Sequence, residues 1–105
     1  MSRLMRIIVF FDLPVKSKKD KRNYSRFHGF LLKQGYYLIQ FSVYGRVCGG
    51  QDRLDMHLGR LKSNLPPKGS VRCMIVTEKQ YASMLVLVGE ERPEEKVQGY
   101  EQLTF

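Results

Sequence analysis

Asp12 closes an apolar run, "RIIVFFD", and Lys16, Lys18, Lys19, Lys21, Arg22 and Arg26 follow it closely. A carboxylate beside a dense group of cations has the ingredients of a phosphodiester site. A hard divalent cation at the carboxylate polarises the scissile phosphate, and the lysines and arginines hold the anionic backbone. Helical spacing places Lys18, Arg22 and Arg26 on one stripe, at i, i+4 and i+8. One carboxylate is a sparse metal site, although magnesium is commonly held by one or two carboxylates, with waters and phosphate oxygens completing the shell. The first-strand segment carries no second carboxylate. A two-fold dimer would supply one by bringing two copies of Asp12 to a common axis. The plainer alternatives are a turn-forming Asp ahead of Pro14 and a solvated helix face for the cations.

Other chemistry is thinly represented. His28 and His57 fall on predicted helices with no partner at a metal-ligand spacing. No serine sits in a nucleophile elbow or an S-x-x-K context. The Gly49–Gly50 pair lacks the lysine of a phosphate-binding loop. Cys48 and Cys73 lie in strand-like runs without a C-x-x-C partner, so both are expected as small buried thiols in a reducing cytoplasm.

The elements that must position Asp12 can be read from caps and periodicity. Ile7–Phe11 has the composition of a core strand, and Pro14 stops it, so Asp12 stands where the backbone leaves the sheet. Ser17 with Asp20 forms a capping box that opens a helix over about 18–34, with Tyr24, Phe27 and Leu31 as its apolar face and Gly35 beyond its end. Residues 36–48, "YYLIQFSVYGRVC", read as strand. Asp52 is the expected N-cap of a second helix bearing Leu54, Leu58, Leu61 and Leu65, which Pro66–Pro67 ends. "SVRCMIVT" at 70–77 is another strand. Thr77 and Gln80 cap a short helical turn, and "LVLVG" at 85–89 is an expected last strand.

Thirteen residues make a long strand between two helices. Splitting that run near Gln40–Ser42 yields β-α-β-β-α-β, an α+β ferredoxin-like sandwich with an additional C-terminal strand. No glycine or proline marks the split, which rests on topology. Residues 1–89 form the expected domain, and 90–105 an acidic C-terminal tail.

Charge narrows the partners. Residues 1–79 hold 16 Lys/Arg against 5 Asp/Glu, whereas 80–105 hold 2 against 5, so a body of +11 carries a tail of −3. A body so basic points to nucleic acid. With 105 residues, 43% hydrophobic and 27% charged, the chain is expected as one soluble domain with no membrane span and no targeting segment. An RNA-binding ferredoxin-like module without catalysis is the alternative: "IVFFDLP" loosely resembles the first strand of an RNA-recognition motif. The counterpart on the third strand, "YGRVCGG", lacks that motif's stacking aromatics.

Taken together, "FFDLP", "NYSRFHGFLLKQGYYLIQFSVYGRV", "LPPKGSVRCMIVTEKQYASM" and "LVLVGE" resemble the CRISPR-associated protein two family, most closely its members from type II systems. The resemblance runs over about residues 3–90, and the strand-ending Asp combined with "QFSVY" is its more specific feature. It implies a ferredoxin-like protomer, a homodimer through the sheets, and Asp12 as the matching metal-binding and catalytic carboxylate, with Mg²⁺ or Mn²⁺ as cofactor. It further implies a role in spacer acquisition, in which the dimer binds prespacer duplex DNA and bridges dimers of the CRISPR integrase. Some members are metal-dependent endonucleases on RNA or DNA. Lys16, Lys18, Lys19, Arg22 and Arg26 are nucleic-acid candidates on the charge argument alone, and strand exchange with the partner protomer is the expectation for the tail.

Overall fold

Strand β1 (Leu4–Asp12) is the spine of the structure, a computed structural model that describes residues 4–95. Its odd-numbered residues Ile7, Val9 and Phe11 are at most 6% exposed and join Phe27, Leu31, Leu54 and Leu61 in one core cluster. Those partners come from helices α1 (Lys18–Lys33) and α2 (Gln51–Lys62), so both helices cover the same face of the sheet. Phe11 packs edge-on against Phe27, with ring centroids 5.3 Å apart.

Strands β2 (Tyr37–Gln40), β3 (Val43–Gly49) and β4 (Ser70–Thr77) complete an antiparallel sheet of order β2-β3-β1-β4. That order and the alternation of elements are the expected ferredoxin-like arrangement. The long strand run does break where topology required it. Ser42 takes φ 62, a left-handed conformation uncommon for a serine, and turns the chain between β2 and β3. Helix α1 opens on the Ser17–Asp20 capping box, and α3 (Glu78–Ala82) opens on that of Thr77 and Gln80, both reciprocal.

Four local expectations are corrected. Gly50 (φ 110), not Asp52, is the N-cap of α2; the glycine reverses the chain directly off β3, which leaves Asp52 inside the first turn. The helix ends at Lys62, so Leu65 lies beyond it and is 50% exposed. Cys73 is exposed because it stands on edge strand β4, whereas Cys48 is buried and its thiol is pushed up by burial. Residues 85–89 form no strand. They have no neighbouring strand to pair with in the described chain, and Leu85, Leu87 and Val88 are 80% or more exposed. The predicted tail 90–105 falls largely outside the described residues; within it, Pro93–Glu95 form a 3-10 turn.

The other face of the sheet is open and divided. At one end Arg6, buried within β1, makes a bidentate pair with Glu78 (Nη2–Oε2 2.9 Å), donates to the Tyr37 hydroxyl and lies 4.0 Å from the Tyr81 ring centroid. Tyr37 reaches it by crossing Gly45, where a Cβ would come within 2.8 Å of the Tyr37 ring. Burial opposes the Arg6 charge, but Glu78 and Tyr37 outweigh it and hold the guanidinium above its ordinary value. The Tyr81 hydroxyl donates to buried Glu95 at 2.6 Å, and burial with that bond raises the phenol. Toward the other end, Ile8, Phe10, Ile39, Val43, Met74 and Met84 line an apolar groove.

Candidate nucleic-acid interface and carboxylate site

Asp12 stands where three turns meet. It is the last residue of β1 and pairs with Ser70 at the start of β4. Beside it, the Phe11 amide donates to the carbonyl of Ser42 in the β2–β3 turn, at 3.1 Å. The chain then leaves through Leu13 and Pro14 toward α1. Gly69, immediately before β4, takes φ +92 and passes so close that a Cβ would stand 2.6 Å from the Asp12 carbonyl oxygen. The backbone is thus held on three sides while residue 12 remains exposed.

The cations stand in the open as well. Lys16, Lys18, Lys19, Lys21, Arg22 and Arg26 are all exposed. The ion pair present among the described residues, Arg6–Glu78, involves none of them. Lys21, Arg22, Ser25 and Arg26 line a shallow depression on the outer side of α1. Phe27 and Leu31 occupy its inner side, so the 3.6-residue period separates phosphate-accessible cations from core.

Asp20 is the one acid within this cluster, and its carboxylate is already engaged. It is buried, accepts from the Ser17 amide at 3.3 Å, and its own amide donates to the Ser17 hydroxyl at 3.0 Å. The Ser17 backbone bond lowers the Asp20 carboxyl below its usual value, against burial and with help from Lys68. Lys68 joins Leu13, Pro14, Asp20, Asn23 and Tyr24 around a small cleft beside the site. Sequence reading missed it. Its signal was the Lys-Gly step ahead of β4, which has meaning only once β4 is known to begin opposite Asp12.

Among the described residues no three His, Cys, Asp or Glu side chains converge as a metal site. One exposed carboxylate is a hard oxygen donor suited to Mg²⁺ or Mn²⁺, and it fits such an ion only if waters, substrate phosphate or a second copy supply the remaining ligands. The histidines add nothing to it. His28 packs between Tyr24 and Tyr44, at centroid distances of 6.2 and 5.7 Å. His57 is buried in α2, with neither ring nitrogen hydrogen-bonded.

Comparison with known proteins points one way. A family model described as CRISPR associated protein Cas2 matches residues 5–84. A protein named CRISPR-associated endoribonuclease Cas2, from Acidovorax ebreus (strain TPSY), is 60% identical over 85 residues, covering 81% of this chain and 83% of that one. Its namesake from Campylobacter jejuni is 42% identical over 103 residues, covering 98% and 72%. A solved structure described as the crystal structure of cas2 superposes with a TM-score of 0.58 at 26% identity, over 86% of this chain and 92% of the other.

Proposed function

This chain belongs to the CRISPR-associated protein Cas2 family, and from that premise we propose that it acts in CRISPR adaptation as a homodimer that binds duplex prespacer DNA and bridges dimers of the integrase. The observation that carries the duplex-binding part is the stripe Lys18, Arg22 and Arg26, exposed and without an acidic partner among the described residues. Its helix begins six residues after Asp12. Sequence-independent contact with phosphates needs cations on one accessible face, and α1 has them.

Two features support the dimer. Phe10, Met74 and Met84 leave 37%, 52% and 45% of their surface exposed on the open sheet face, which a second copy would cover. The apolar residues Leu85–Val88 stand exposed without a strand partner among the described residues, as a segment exchanged between protomers would. No helix among the described residues is long and apolar enough to cross a membrane.

A second reading is cleavage of RNA, favoured by the relatives' name, endoribonuclease, and by the exposed Asp12; metal dependence and DNA as a further substrate are part of the same proposal. Asp12 would hold Mg²⁺ or Mn²⁺, with a second copy contributing its own carboxylate. Bound there, the cation would polarise a scissile phosphate. The scaffold role does not depend on this chemistry.

Co-migration of the purified protein with the integrase, with and without duplex DNA, tests the proposal. A complex that forms with the duplex and weakens as salt rises is expected. Separate elution under both conditions would refute the bridging role.

A further inference from the structure

Beyond the C-terminus of α1 the cationic surface does not stop. Gln34, the C-cap of α1, is gripped from two other elements. Arg46 of β3 donates through Nε to the Gln34 carbonyl at 2.8 Å, and Arg60 of α2 donates through Nη1 to the Gln34 side-chain oxygen at 3.0 Å. Arg53 lies on the same side of α2 as Arg60, two helical turns away, and both flank the buried His57. Lys33, in the last turn of α1 and adjacent in sequence to the Gln34 that Arg60 contacts, is exposed, as are Arg53 and Arg60.

Local acids do not neutralise this group. Asp52 lies about 100° round the helix from Arg53 and Asp55 about 160°, at 3.6 residues per turn. Asp55 already accepts from Gln51 at 2.9 Å. Arg46, Arg53 and Arg60 form no ion pair among the described residues. The field they create registers on His57, whose imidazole is held below its ordinary value first by burial and then by these three arginines.

We infer that Arg53 and Arg60, with Lys33 in the adjoining last turn of α1 and Arg46 tied to the same Gln34, form a second phosphate-contacting patch that continues the α1 stripe along the same nucleic-acid backbone. Resting on the duplex-binding reading of α1, the patch makes the contact surface longer than that helix. The 16 residues of α1 span about 24 Å at 1.5 Å each, so the stripe engages one stretch of backbone and the arginines the phosphates next along it. Arg46 is the positioning residue, because its guanidinium ties β3 to the end of α1. Arg53 and Arg60 are the contacts, being exposed; Arg60 spends only Nη1 on Gln34, which leaves its other donors for phosphate.

The test is a salt titration of binding to a labelled, mixed-sequence DNA duplex. It uses the full chain, R53Q/R60Q, R53E/R60E and K18E/R22E/R26E, with thermal melts to confirm folding. Each lost phosphate contact lowers the log–log salt slope by about 0.9, so R53Q/R60Q should lower it by about 1.8. R53E/R60E should bind more weakly still, at an unchanged melting temperature. An unaltered slope and affinity in both arginine variants, with K18E/R22E/R26E impaired, would overturn the second patch alone and leave those arginines to an acidic protein surface. A native chain that binds no duplex would overturn this inference together with the duplex-binding reading.

Discussion

Gly69 and Asp12 lie so close across the β4–β1 pairing that a single added carbon at residue 69 would stand 2.6 Å from the Asp12 carbonyl oxygen. The carboxylate therefore owes its position to a residue 57 places away in the chain. Because Gly69 also has φ +92, Gly69→Ala meets both a backbone clash and a disfavoured conformation. The conformation alone costs roughly 1–3 kcal/mol. Thermal melting should show a fall of several degrees, and any cleavage that depends on Asp12 should fall with it. An unchanged melting temperature would mean that the strand end is not packed as described.

Asp12→Asn tests the proposed cleavage separately from the proposed scaffold role. The change keeps size and hydrogen-bonding capacity but removes the charge a hard cation needs. Mg²⁺- or Mn²⁺-dependent cleavage should drop by orders of magnitude, while duplex affinity holds or rises slightly and the melting temperature stays put. Residue 12 is exposed and the backbone around it is held by Ser42, Gly69 and Ser70, so little stability rests on the carboxylate itself. Persistent cleavage by the variant would remove Asp12 from the chemistry.

The open sheet face predicts an assembly. At micromolar concentration the protein should sediment as a dimer of its 12.3 kDa chain. Met74→Lys, on that face and 52% exposed, should shift it toward monomer without unfolding it. A native chain that sediments only as monomer would remove the shared-carboxylate site.

His57 predicts how stability changes with acidity. Its imidazole is held below the ordinary 6.5, so the unfolded chain takes up a proton before the folded one does. Stability is then fully present above about pH 6.5 and is lost as pH falls below that value, until the folded state also protonates. Asp20, whose carboxyl is lowered, adds a second loss, which begins only below the ordinary carboxylate range. Melting temperatures between pH 7.5 and 5 should decline in the native chain and flatten in His57→Leu. Parallel curves for the two proteins would clear His57.

Local signals in the chain were enough for much of the fold. Ser17 with Asp20 and Thr77 with Gln80 cap helices that begin where the boxes place them, since such a cap is complete within four residues. "SVRCMIVT" is β4 over its whole length, and the apolar spacing of Phe27 and Leu31 marks the face of α1 that meets the core. The basic stripe and the carboxylate at the strand end were visible too, because side-chain type and helical period are properties of the chain itself.

What the chain could not settle by itself depends on partners distant in sequence. Arg6 looks like a strand boundary, yet it lies inside β1 because Glu78 and Tyr37, 72 and 31 residues away, neutralise and bond it. Ser42 bends the chain with neither Gly nor Pro, since β3 must turn back to pair with both β1 and β2. Residues 85–89 have strand composition but no strand beside them among the described residues, and composition cannot create a hydrogen-bonding partner. In the same way Lys68 was carried to the cleft that Leu13 and Pro14 line, next to the end of β1. Residue types are written in the chain, but the neighbours that decide their roles are brought together only by strand pairing across the sheet.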